Sequence, residues 1–155
     1  GEDAMPNSAL LKPNVREAVP FFNVTSMPAS LHFYVNGLGF RVTHEWTPDD
    51  PKVIRWCRLQ HGEAGLMLQT WWRDGKPGGW PDGKLGQGVS VCFMCEDALA
   101  IRREALGRGL PSSRNPFVGN NLWVVSYVDP DGYCIDFESP TDVPEETEFD
   151  PATHA

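Results

Sequence analysis

Asp129-Pro130-Asp131-Gly132-Tyr133, running into Ile135-Asp136-Phe137, reads as a tight turn feeding a strand. Proline presets one turn dihedral, the aspartates bond back to local backbone and glycine takes the left-handed position. Residues 122–128 and 133–139 are therefore predicted to form a hairpin, each apolar at alternate positions. Upstream lie another short strand at 116–118, an amphipathic helix at 96–106 and a strand at 89–94. Ala98, Ile101, Ala105 and Leu106 give the helix its apolar spacing, acids open it and Gly107 stops it. The same order stands in front of this unit. A strand is predicted at 18–24, then a helix capped by Ser26, tolerant of Pro28 in its first turn and stopped by Gly37 and Gly39, then strands at 40–46, 53–59 and 64–72. The two strand-to-helix junctions, Ser26 and Cys95, stand 69 positions apart, which points to a duplication. A unit of about 60 residues buries too little surface to stand alone, so each half is the other's natural partner.

The chain divides accordingly into an N-terminal extension (1–17), a first module (18–73), a Gly- and Pro-rich connector (74–87), a second module (88–139) and an acidic tail (140–155). Gly1 to Ala4 precede Met5 and are read as a remnant of expression. The tail holds Asp142, Glu145, Glu146, Glu148 and Asp150 with no base, and is expected to be exposed. Net charge is −8, from 13 basic and 21 acidic residues; without the tail acids, 13 face 16 and the body carries only −3. The charge thus says little about a ligand, and the lack of a basic run argues against nucleic acid. No apolar run approaches the roughly 20 residues of a membrane span, and no secretory signal is present, so a cytoplasmic protein without membrane contact is expected. Cys57, Cys92, Cys95 and Cys134 sit in or beside apolar runs and read as small buried side chains in a reducing compartment. The Cys92-Phe93-Met94-Cys95 spacing suits neither a redox motif, because Cys92 belongs to a strand, nor zinc, for which only Cys57 and Cys134 could add ligands.

Ser30-Leu31-His32-Phe33-Tyr34 running into Gly37-Leu38-Gly39-Phe40, taken with the Asp-Pro-Asp-Gly-Tyr segment and the doubled βαβββ order, resembles the vicinal oxygen chelate superfamily. That superfamily groups glyoxalases, extradiol dioxygenases, fosfomycin-modifying enzymes and bleomycin-resistance proteins. The resemblance covers about residues 18–139. It implies an α+β fold in which two tandem βαβββ modules form an eight-stranded curled sheet around a cleft, with the helices outside, and a homodimer. It also implies that catalytic members hold a divalent metal with His, Gln or Glu from the first and last strands of each module, where the metal stabilises charge on adjacent substrate oxygens.

The positions matching those ligands are poor in donors. The first-strand positions fall at Val19 and Gly88; the last strand of module one offers Met67 or Gln69, and that of module two Asp136 in place of Glu. No His, Asp or Glu occurs in 19–24 or 88–94, so a shift of register cannot supply one. His32 is placed on the outer helix, His61 in a turn and His154 in the tail, while His44 and Glu45 point to opposite faces of their strand. The site reads as degenerate, with no metal or other cofactor expected; if a metal were present, Gln69 and Asp136 would be its ligands.

Strand alternation predicts the lining of the cleft. Leu66, Leu68, Val89, Val91, Phe93, Ile135 and Phe137 pack under the helices, so Met67, Gln69, Ser90, Cys92, Cys134, Asp136 and Glu138 face inward, with Trp56 and Arg58 sharing the cleft face of their strand. The candidate ligand-binding residues are Trp56, Arg58, Met67, Gln69, Ser90, Asp136 and Glu138, an aromatic wall with a few polar groups. Trp71, Trp72 and Trp80 are expected at the junction of modules or at a dimer interface. The functional expectation is a protein of the bleomycin-resistance-like kind that binds or sequesters a small organic molecule, with catalytic residues unknown. Two alternatives stay open: a metal-dependent lyase or dioxygenase using Gln69, Asp136 or Glu138, and an interaction module whose cleft is filled.

Overall fold

The computed structural model describes residues 13–155; Gly1 to Ala4 and most of the expected N-terminal extension lie outside the described residues. Module one runs β1 (Phe21–Val24), α1 (Met27–Leu31, continuing as a π-helical stretch His32–Gly37), β2 (Arg41–Trp46), β3 (Trp56–His61) and β4 (Ala64–Thr70). A small hairpin, β5 (Trp72–Arg73) and β6 (Lys76–Pro77), follows. Module two then repeats the order: β7 (Ser90–Met94), α2 (Ala98–Gly107), β8 (Phe117–Gly119), β9 (Leu122–Val128) and β10 (Cys134–Pro140), before a last turn of helix, α3 (Pro151–His154).

The helices start where side chains can satisfy free backbone N–H groups. Ser26 Oγ accepts from the Ala29 N–H at 3.3 Å, and Asp97 Oδ1 from the Ala100 N–H at 3.0 Å. The sheets are ordered β1-β4-β3-β2 and β7-β10-β9-β8, each with its first and last strands paired in parallel. Both are curled and neither closes into a barrel, which is the α+β architecture expected. Strand alternation holds: Phe22, Val24, Cys57, Leu59, Leu66 and Leu68 are buried on the helix side of the first sheet, Phe93, Ile135 and Phe137 on that of the second.

These two helix-side faces share one core. The Phe22 ring stacks on Tyr133 at 3.9 Å and Phe40 meets Phe93 at 5.6 Å. The Asp-Pro-Asp-Gly turn is the polar part of the same joint. Tyr34 Oη donates to Asp129 Oδ2 at 2.7 Å, Thr25 donates from its amide and its hydroxyl to Asp131 at 3.1 and 2.7 Å, and Tyr133 Oη donates to the Asn23 carbonyl at 3.0 Å. Asp129 and Asp131 are both buried, so the bonds from Tyr34 and Thr25 replace water that the carboxylates have lost. Burial raises the Asp129 pKa, while the Tyr34 hydroxyl and the Tyr133 and Asp131 amides pull it down.

Three expectations are corrected. The tail is not exposed throughout: Val118 N–H donates to the Thr147 carbonyl, Glu146 N–H to Val118 and Phe149 N–H to Pro116, at 2.8 to 2.9 Å. Phe149 is buried against Trp123, with Arg102 over its ring at 4.3 Å. The acids made the segment look solvated, but it covers the otherwise unpaired edge of β8. Second, Cys57 alone among the cysteines is buried; Cys92 is exposed because it faces away from the core, and Val89 and Leu106 are exposed where apolar faces end. Third, two strands start late: 18–24 shortens to Phe21–Val24 and 53–59 shifts to Trp56–His61. Arg55 instead lies over the Trp72 ring at 4.3 Å, so this tryptophan joins the hairpin to the first sheet's end.

Candidate functional site

With the helix sides spent on the shared core, each sheet keeps one open face. On the first, β1 and β4 pair in register as Phe21 with Met67 and Asn23 with Gln69, while β3 sets Trp56 opposite Gln69 and Arg58 opposite Met67. The expected residues Trp56, Arg58, Met67 and Gln69 thus share one face. Gln69 Nε2 donates to Asn23 Oδ1 at 2.8 Å, so the two amides orient each other. Arg58 lies flat across Gly65, where a β-carbon would fall 2.6 Å from its Nη2, and reaches Glu17 at 3.5 Å in a loose, half-solvated pair.

On the second sheet Ser90 lies opposite Cys134, Cys92 opposite Asp136 and Met94 opposite Glu138. Ser90, Asp136 and Glu138 therefore also share a face, with two thiols and a thioether between them. Cys92 Sγ contacts Met94 Sδ at 3.6 Å rather than Cys95. Partial burial of its sulfur, then the Glu138 and Asp136 carboxylates, push the Cys92 thiol up to about 12, so it is protonated at neutral pH and a poor nucleophile.

Counting from the helix start missed Phe21 and Asn23. It placed the first-strand donor at Val19, ahead of β1, and in module two at Gly88, ahead of β7. The alternation of buried Phe22 and Val24 was the signal that could have found them. The open faces expose apolar surface: Phe21 is 46% exposed, Trp46 53%, Met94 62% and Val128 51%. Among the described residues no hydrogen bond, ion pair or ring contact joins one face to the other.

Few metal donors gather on these faces, Asp136 and Glu138 being their carboxylates. Asn23 and Gln69 are neutral and bonded to each other, Cys92 holds its proton, and among the described residues no three His, Cys, Asp or Glu side chains converge as a metal group would need.

A family profile described as "Glyoxalase/Bleomycin resistance protein/Dioxygenase superfamily" matches residues 18–137. The chain belongs to this superfamily. Solved structures of similar fold include a glyoxalase/bleomycin resistance protein from Catenulispora acidiphila, at 22% identity and TM-score 0.56, covering 82% of this chain and 97% of that one. A bleomycin-binding protein complexed with bleomycin matches at 21% and 0.56, covering 81% and 98%. A bleomycin resistance determinant encoded on the transposon Tn5 matches at 20% and 0.59, covering 83% and 100%. No curated protein matches the sequence. Among the described residues no helix is long and apolar enough to cross a membrane.

Proposed function

We propose that this superfamily member binds a small organic molecule between open sheet faces, without a metal, and that the cleft is completed in a homodimer. The observation that carries the reading is the pair of open faces, each mixing apolar side chains with fixed polar groups: Trp56, Arg58, Met67 and the Asn23–Gln69 pair on one, Ser90, Asp136 and Glu138 on the other. Exposed Phe21, Trp46, Met94 and Val128 are costly in water, and a second copy that set one module's face against the other's would cover them while leaving a polar-lined cleft. The likeness to bleomycin-binding structures supports a sequestering role over a catalytic one, as does a donor set unsuited to Lewis-acid chemistry. Four free cysteines are in keeping with a reducing, cytoplasmic location.

The test uses bleomycin as probe. The chain should sediment as a dimer, and titration should quench tryptophan emission with the same affinity in excess chelator. Trp56→Ala and Arg58→Ala should each weaken binding about ten-fold, the loss of one well-placed contact. A monomer with no response, or binding that vanishes with chelator and returns with zinc or nickel, refutes the proposal.

A further inference from the structure

A second hollow lies mainly on the helix side of the molecule, with Met94 of the second open face at its rim. It is a crevice of about 760 Å³ between the β3–β4 turn of module one and the start of α2 in module two. Phe93 and Phe137 form its floor, their rings stacked with centroids 5.5 Å apart, and Ile101 of α2 stands beside them. Phe137 alternates with Asp136 and Glu138 on β10, so it points away from the face those carboxylates occupy. His61 closes one side, edge-on to Phe40 at 5.1 Å and 6.2 Å from Phe137. The lining also carries two exposed carboxylates, Glu63 from module one and Glu96 from module two.

We infer that this crevice binds a lipophilic organic cation. A floor of aromatic and aliphatic groups takes up an apolar body, while carboxylates on opposite walls complement positive charge at the mouth. An anion of the same shape would meet both carboxylates unfavourably, and a neutral molecule would gain nothing from them. The volume lies within the range of small-molecule sites. Because each module supplies one wall, the site exists only while the two modules are docked. Of its lining only Met94 also stands on an open face, and none of Trp56, Arg58, Met67, Gln69, Ser90, Asp136 or Glu138 belongs to it, so Trp56→Ala tells the two sites apart.

The experiment is calorimetric titration of the full chain with tetraphenylphosphonium, using tetraphenylborate, of nearly the same shape and opposite charge, as the control. The cation should bind at one site per chain and weaken with added salt. Glu63→Gln with Glu96→Gln should weaken it about five-fold, the worth of two solvent-exposed charge contacts. Ile101→Arg should abolish it, and Trp56→Ala on the open face should leave it unchanged. Equal affinity for the borate, no binding of the cation, indifference to the double glutamine substitution, or loss on Trp56→Ala would each overturn the inference. Both glutamates are exposed, so the double variant can be checked for an unchanged melting temperature before titration.

Discussion

Tyr34→Phe isolates the joint between the modules. The ring keeps its fully buried place against Phe33 and Phe40, so the substitution removes one hydroxyl and its 2.7 Å bond to Asp129, without opening a cavity for the ring. Asp129 is left with only the Asp131 and Tyr133 amides as donors, both on Oδ1, so Oδ2 becomes a buried charged oxygen without a partner. A hydrogen bond to a charged group is worth about 1.5–3 kcal/mol, so a loss of about 2 kcal/mol at neutral pH is expected. For a chain of this length that lowers the melting temperature by about 4–8 °C. The pH dependence gives the sharper test. Burial raises the Asp129 pKa in the folded chain, so on its own this group favours the native state below its unfolded pKa, and that contribution is lost as pH rises through the folded value. The Tyr34 hydroxyl opposes the rise, and removing it raises the pKa further. The deficit of the variant should therefore be largest near pH 7, where the carboxylate is charged, and shrink to about 1 kcal/mol at about pH 4 and below, where the bond lost is one to a neutral carboxyl. Urea unfolding of both proteins at the two pH values, with equal m-values, measures the difference. Equal deficits at both pH values, or one under about 0.5 kcal/mol at pH 7, would refute the assignment of Tyr34 and Asp129 as a charged latch.

Other sites can be tested in the same way. Gly86→Ala should destabilise by at least the 1–3 kcal/mol or so typical of overpacking, because its β-carbon would fall 2.1 Å from the backbone nitrogen of Tyr133 and push the connector off the Asp-Pro-Asp-Gly turn; thermal melts read it directly. Phe149→Ala should cost about 3 kcal/mol by urea unfolding if the C-terminal segment is part of the core, and nothing measurable if it is a solvated tail. Gln69→Ala should leave stability within about 0.5 kcal/mol of the parent, as for a partly exposed position, while weakening bleomycin binding through loss of the amide that orients Asn23.

The sequence was most legible where a single local rule decides the outcome. Gly132 with φ +89° and the aspartates around it specify a turn whatever surrounds them, and Ser26 specifies a helix start, so the doubled order of elements and its 69-residue offset could be read without a structure. The face of each strand was legible for the same reason: Leu66 and Leu68 against Met67 and Gln69 leave one register in which the core is apolar. What escaped the reading depended on distant partners. The segment from 140 looks solvated by composition, and only the uncovered edge of β8 explains why Thr147 and Phe149 dock there. Asp131 looks like turn chemistry alone, yet half its role is to receive Thr25, 106 positions away. Asn23 escaped for a third reason: strand ends shift by a few residues, and a count from the helix start carries that error into the choice of side chain.

The doubled order of elements sets the two open faces in equivalent places, yet they are chemically unequal, and that inequality matters. Phe21 and Ser90 open equivalent strands, and the pairs beside them correspond: Asn23 with Gln69 in module one, Cys92 with Asp136 in module two. In the first module the pair is two neutral amides satisfied by each other, next to Arg58; in the second it is a protonated thiol beside a carboxylate, with Glu138 on the same strand face. A cleft made from two copies of one face would be symmetric, and a ligand could enter it either way round. A cleft made from one face of each kind has a cationic, aromatic wall opposite an acidic, sulfur-lined one. The Arg58 pair with Glu17 is loose and half-solvated, so its guanidinium can turn to a ligand at little cost. A bound molecule with a basic end and a carbonyl or acidic end would therefore adopt a single orientation, which is what the inequality of the two modules would gain under the proposed binding role.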